Sequence, residues 1–107
     1  LGATPGTLTL EATGTAGSTV ATSSATNSIA VAVRTADSLD QNEPVSFFKL
    51  DIEGAELEAL EGATQMIARG RPVLAISAYH RQDHLWRVPL ACAALLPQSS
   101  LHLRPHN

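Results

Sequence analysis

V-S-F-F-K-L-D-I-E-G-A-E-L-E-A-L-E-G-A, residues 45–63, is the stretch from which the fold of this chain can be read. Residues 46–52 carry only Lys49 and Asp51 as charges. Two phenylalanines and a β-branched end make this run a strand of the kind covered on both faces. Gly54 permits a tight turn. From Ala55 the period changes: Leu57, Leu60, Ala63 and Ile67 recur at helical spacing, which predicts one helix from Ala55 to Arg69. Glu56 and Glu58 fall in its first turn, where negative charge suits the positive end of the helix dipole. Arg69 falls in its last turn, Gly70 is the predicted C′ residue, and Pro72 bars continuation.

A second apolar run, P-V-L-A-I-S-A-Y-H, follows at residues 72–80. Strand, helix and strand with short links form a βαβ unit, so the two strands should be parallel with a right-handed crossover. Parallel strands place their carboxyl ends on one edge. That edge would carry Asp51, Glu53 and Gly54 from the first strand, and Tyr79 and His80 from the second. Ligands of open α/β sheets bind outside the carboxyl ends of strands. Two carboxylates and an imidazole, far apart in sequence, are therefore expected to share one crevice.

With 107 residues the chain can form one small domain with a core but not two. Its apolar content of 44% excludes a disordered chain. No apolar run reaches the ~18–20 residues of a bilayer-spanning helix, so no membrane partner is expected. The net charge of -3 comes with no basic stripe, which argues against nucleic acid. Cys92 is the one cysteine, so neither a disulfide framework nor a cysteine zinc cluster can form. A reducing, cytoplasmic location is compatible with that composition.

Upstream of the central unit, residues 1–44 are low in charge and rich in Ser, Thr, Ala and Gly. Residues 7–13 alternate, with Leu8, Leu10 and Ala12 on one face. Residues 29–34 alternate again through Ile29, Val31 and Val33. These are two short strands, antiparallel if paired, joined by a small-residue loop over residues 14–28. Residues 37–40 form a turn or one helical turn. Downstream, Asp83 can cap a helix through Leu85 and Trp86. Pro89 starts a new helix or kinks this one. Leu90, Ala93, Ala94 and Leu96 would form its apolar side, with Trp86 a core anchor and Cys92 packed inside. Residues 100–104 alternate as a last strand with Leu101 and Leu103 inward.

The candidate chemistry concentrates at the shared edge. Asp51 and Glu53 could be a strand-end aspartate and a helix-capping glutamate, or such a carboxylate could bind an ammonium or hydroxyl group of a ligand or act as a base. His80 could be a core histidine, or a general base with a pKa near neutrality. His80 and His84 stand four apart, as do His102 and His106, but the first pair starts at a strand end and Pro105 interrupts the second. No metal is expected. Gly2, Gly6, Gly14 and Gly17 do not make a nucleotide-binding loop, because none follows an apolar strand and opens a helix.

K-L-D-I-E-G-A-E-L-E-A-L-E-G-A, residues 49–63, resembles the signature of the FkbM-type family of S-adenosylmethionine-dependent methyltransferases: a strand, K-x-D-[IV]-E-G-x-E, then a helix with L-x-G-A. P-V-L-A-I-S-A-Y-H, D-H-L-W-R-V-P-L and the closing L-x-L-R extend it, so that the resemblance covers Ile29 to the end. It implies a Rossmann-type, doubly wound, mostly parallel sheet and methyl transfer to a hydroxyl of a sugar or natural product. Asp51 and Glu53 would then end the fourth parallel strand and His80 the fifth, with Asp51 and His80 as catalytic candidates and Glu53, Gly54 and Tyr79 beside substrate or cofactor. Asp37 would belong to the segment leading into the fourth strand. The family's glycine-rich cofactor loop has no counterpart in this chain, and R-P-H-N departs from the family's usual ending. The expectation is thus a partial domain, with residues 1–44 as strands and loop and residues 45–107 as the carboxyl-terminal βαβ half. Alone it would be inactive. The rival readings are a non-catalytic α/β interaction module and a metal-dependent hydrolase using Asp51 and His80.

Overall fold

The computed structural model describes residues 1–11, 28–39 and 43–105. Its strands are β1 (Gly6–Glu11), β2 (Ser28–Val33), β3 (Phe47–Leu50) and β4 (Val73–Ile76). Its helices are α1 (Glu56–Glu61), α2 (Thr64–Gly70) and α3 (His84–Leu95), with a single 3-10 turn at Asp37–Leu39. The chain is thus a small α/β unit. The expected small-residue loop lies, but for Ser28, outside the described residues, as does the end of the first predicted strand.

β1 and β2 pair antiparallel, with Leu8 opposite Val31 and Leu10 opposite Ile29, so the alternating apolar positions share one face. β3 and β4 pair parallel, from Phe47↔Val73 to Leu50↔Ile76. The βαβ expectation therefore holds for strand direction and pairing. The two pairs are separate two-stranded sheets. The expectation of strands covered on both faces does not hold: Phe48, Leu50, Leu74 and Ile76 belong to the core, whereas Phe47 and Val73 are exposed. All three helices contribute to that single core, so the opposite face of the β3–β4 pair lacks their cover.

The predicted helix is two helices. α1 stops at Glu61, and Gly62 and Ala63 break the run. Gly62 also lies at a close backbone approach: a Cβ there would overlap the carbonyl oxygen of Gly2. α2 is then started from outside. The Asp37 carboxylate accepts hydrogen bonds from the backbone N–H groups of Gln65 and Met66, at 3.1 and 2.8 Å. A side chain distant in sequence thus satisfies donors that a local N-cap would otherwise take. Asp37 is tied in again by its own N–H, which donates to the Gly62 carbonyl at 2.9 Å.

At the far end, Gly70 is the last residue of α2 and Arg71 takes the left-handed cap position with φ 45°. The predicted C′ role of Gly70 moves one residue on. Gly70 is needed instead for packing, since a Cβ there would run into the backbone of Val45. Asp83 precedes α3 without a side-chain capping bond, and its carboxylate takes the Arg87 guanidinium at 2.7 Å. α3 runs through Pro89 without interruption. Val88, Cys92 and Leu96 are buried: Cys92 and Leu96 lie inside as expected, whereas Val88 is an addition and Ala94 is exposed. Leu90 and Trp86 are exposed, so Trp86 is no core anchor. Residues 100–105 form no strand, and Leu101 and Leu103 are exposed rather than inward.

Two substitutions test this architecture. Gly62→Ala should lower stability by about 1–3 kcal/mol, the usual cost of forcing atoms into filled space. Asp37→Ala should cost about 1 kcal/mol, the loss of a cap. Urea melts should show a lower midpoint for both with little change of slope.

Candidate active site

The site is built on the turn that leaves β3. Ala55 N–H donates to the Ile52 carbonyl at 3.3 Å, and the two residues between, Glu53 and Gly54, have φ of 55° and 99°. Positive φ at both central positions is the pattern of a type I′ turn. Gly54 meets that demand without cost, whereas Glu53 is a side-chain-bearing residue in left-handed backbone. The turn reverses the chain so that Asp51 and Glu53 stand at the carboxyl edge of β3 and Glu56 folds back beneath them.

Residues 79 and 80 follow β4 and arrive at the same edge. His80 Nε2 lies 3.4 Å from Asp51 Oδ1 and 3.8 Å from Glu53 Oε2. The Tyr79 hydroxyl donates to Asp51 Oδ1 at 3.0 Å. The structure thus brings Asp51, Glu53, Gly54, Tyr79 and His80 to one place. The His80 side chain is 7% exposed, while Asp51 and Glu53 are 43% and 57% exposed, so an almost closed imidazole sits behind two carboxylates open to water. Tyr79 also lines an open groove of about 1400 Å³ that follows β4, with Leu74, Ile76, Leu85 and Leu101 among its walls.

Two further residues complete the cluster. Glu56 is fully buried, and so, at 1% exposure, is His84. Glu56 Oε1 accepts hydrogen bonds from the N–H groups of Ile52 at 3.0 Å and Gly54 at 3.4 Å. The same oxygen lies 2.8 Å from His80 Nδ1, and Oε2 lies 3.2 Å from His84 Nδ1. Glu56 Oε2 and the two Nδ1 atoms are sealed from solvent and make no well-aligned hydrogen bond, so close charge–dipole contact carries the attraction. The sequence reading placed Glu56 in the first helical turn as a dipole-compensating charge and weighed His84 only as a metal ligand. The signal for Glu56 was its spacing: it lies three and four residues before the buried Ala59 and Leu60.

The electrostatics follow from these contacts. Burial pushes the Glu56 carboxyl up, but the backbone N–H groups of Ile52, Glu56 and Gly54, joined by the His80 imidazole, outweigh it and hold the group below its ordinary value. Hydrogen bonds from Ser77 and Tyr79 hold Asp51 below the ordinary aspartate value. The Asp51 carboxylate in turn raises the Tyr79 phenol. At neutral pH both carboxylates are ionised and Tyr79 is a donor. Among the described residues no group of three His, Cys, Asp or Glu has the arrangement to hold a metal ion. Cys92 is buried in the core, and burial raises its thiol.

Carboxylates and an imidazole at the carboxyl edge of parallel strands form the layout in which α/β enzymes hold small ligands. A family model, the methyltransferase FkbM domain, matches residues 2–103, and the chain belongs to that family. The match reaches back through the β1–β2 hairpin, beyond the part whose motifs carried the resemblance. Neither the curated proteins nor the solved structures contain a significant match. Membership makes this a methyltransferase domain and implies, in general, a methyl donor of the S-adenosylmethionine type. No helix among the described residues is long and apolar enough to cross a membrane.

The Glu56 environment predicts an acid limb of stability. Its carboxyl titrates lower in the folded chain than in the unfolded one, so the folded state binds the proton less readily. The resulting stabilisation is complete above the unfolded value, about pH 4.5, and is lost as pH falls through the folded value. Melting temperature should therefore drop on acidification below about pH 5. Glu56→Gln should flatten part of that slope. The remainder rests on Asp51 and on Asp83, whose carboxyl the Arg87 guanidinium holds low.

Proposed function

We propose that this chain carries the methyl-transfer centre of an S-adenosylmethionine-dependent O-methyltransferase of Rossmann-type architecture, acting on a hydroxyl of a sugar or natural product. The observation that supports it most is the contact of His80 Nε2 with the paired carboxylates of Asp51 and Glu53. The exposed, ionised Asp51 and neighbouring Glu53 fit a ligand with a cationic group, and they are the residues that would face the donor. When bound, S-adenosylmethionine supplies an electrophilic methyl group on a sulfonium. The chain's own work is to receive the acceptor hydroxyl beside His80 and to take its proton on Nε2 as the oxygen becomes nucleophilic. Asp51, 3.4 Å away, then offsets the positive charge that the imidazole gains. Fixing donor and acceptor in line supplies much of the rate in such a displacement. Family membership does not favour the reading as a non-catalytic interaction module.

His80→Ala should lower turnover ~10²–10⁴-fold with donor affinity barely changed. Asp51→Asn, which removes charge and keeps shape, should impair donor binding, turnover or both. The double variant should be clearly non-additive, because groups sharing one site couple. Strict additivity of the two losses would remove the shared mechanism.

The glycine-rich loop that would cradle the donor is absent from these 107 residues. Such a loop contributes backbone donors and close approach to the cofactor. The isolated chain should therefore bind S-adenosylmethionine very weakly or not at all in a calorimetric titration. A dissociation constant in the micromolar range would contradict this.

A further inference from the structure

We propose that Glu56 is a positioning residue that fixes His80 as the tautomer with its proton on Nδ1, leaving the Nε2 lone pair at the Asp51–Glu53 edge; the functional value of this rests on His80 being the base. The two ring nitrogens of His80 have unlike surroundings. Nδ1 lies 2.8 Å from an oxygen of a fully buried carboxylate. An unprotonated Nδ1 there would set lone pair against lone pair with no water to separate them. Nε2 faces carboxylates that stand in solvent and lie farther off, at 3.4 and 3.8 Å. The buried carboxylate therefore decides which nitrogen keeps the proton, as a carboxylate does behind many functional imidazoles.

Glu56 cannot turn away from this duty. Its Oε1 is held by the Ile52 and Gly54 N–H groups, and its Oε2 faces His84 Nδ1. One carboxylate therefore clamps two imidazoles, and they are not equivalent. His84, at 1% exposure, is shut inside the core at the start of α3. His80 alone of the two reaches the open edge. This separates the base from its look-alike four residues on. The groups around the pair are Asp51 and Glu53 from the turn, Glu56 from α1, Tyr79 from the segment after β4, and Asp83 before α3.

The test is ¹⁵N NMR of the histidine-labelled 107-residue chain at about pH 9, well above the ordinary imidazole range. His80→Gln identifies the His80 signals. In the unmodified chain, His80 should show a protonated Nδ1 and an unprotonated Nε2. Glu56→Gln gives a sharper expectation. The backbone donors at Oε1 will hold the amide oxygen on the His80 side, so His80 keeps its tautomer. The amide NH₂ then meets His84 Nδ1, and His84 should switch its proton to Nε2. His80 carrying its proton on Nε2 in the unmodified chain would overturn the proposal. So would a His80 that keeps its proton on Nδ1 in a folded Glu56→Leu variant, where the carboxylate is gone. If His80→Ala spares turnover in the enzyme, the base assignment fails, while the tautomer measurement still decides the role of Glu56.

Discussion

A carboxylate with no access to water is the constraint around which the functional end of this molecule is arranged. Burying an ion costs several kcal/mol unless donors replace its hydration. Glu56 accepts hydrogen bonds from two backbone N–H groups of the turn, and two imidazoles lie against it at 2.8 and 3.2 Å. Each of these neighbours fixes something else. The N–H groups of Ile52 and Gly54 set the turn that carries Asp51 and Glu53. His80 sets where the chain goes after β4, and His84 sets the first residue of α3. The turn after β3 and the segment from His80 to His84, distant from it in sequence, thus converge on one buried charge.

The scaffold below that charge relies on close backbone contacts more than on large side chains. The largest fully buried side chains are Leu50, Leu60, Ile67, His84 and Glu56, and no aromatic residue is among them. Ala59 and Ala63 allow the helices to approach, and Gly62 and Gly70 accept main chain directly against theirs. Where the helical run breaks at Gly62, the Asp37 carboxylate restarts it. The segment ahead of β3 therefore steadies the second half of the connection between β3 and β4, and through it the register that places Asp51 opposite the residues after β4.

Much of this was legible in the chain itself. The change from strand to helical period at Gly54, and the second apolar run, were enough to infer parallel strands and a common edge. From there the meeting of Asp51 with His80 followed from topology. What escaped was decided by tertiary contact. A glutamate in a first helical turn reads as a surface charge, and only burial turns it into the centre of a network. The close approach of Gly2 to Gly62, sixty residues away in sequence, is reported by no local periodicity. Arg71 in the left-handed cap looks locally worse than Gly70 but frees Gly70 for the approach of Val45. The face of α3 is only partly legible, because Pro89 leaves open whether a helix starts or is kinked there. A proline removes the hydrogen bond to the Leu85 carbonyl, and Leu85 lies on the exposed side of α3.

Glu53 shows where use and endurance pull apart. Its backbone sits where glycine would be at ease, at a cost on the order of 1 kcal/mol. The carboxylate beside His80 stands at a position where glycine would be less strained. Selection of this domain for heat resistance alone would thus be drawn to glycine at position 53 and would relax the turn by stripping the edge of a charge. A library screened for robustness and one screened for methyl transfer should part company at this position. The composition recovered at residue 53 would then record which pressure had been applied.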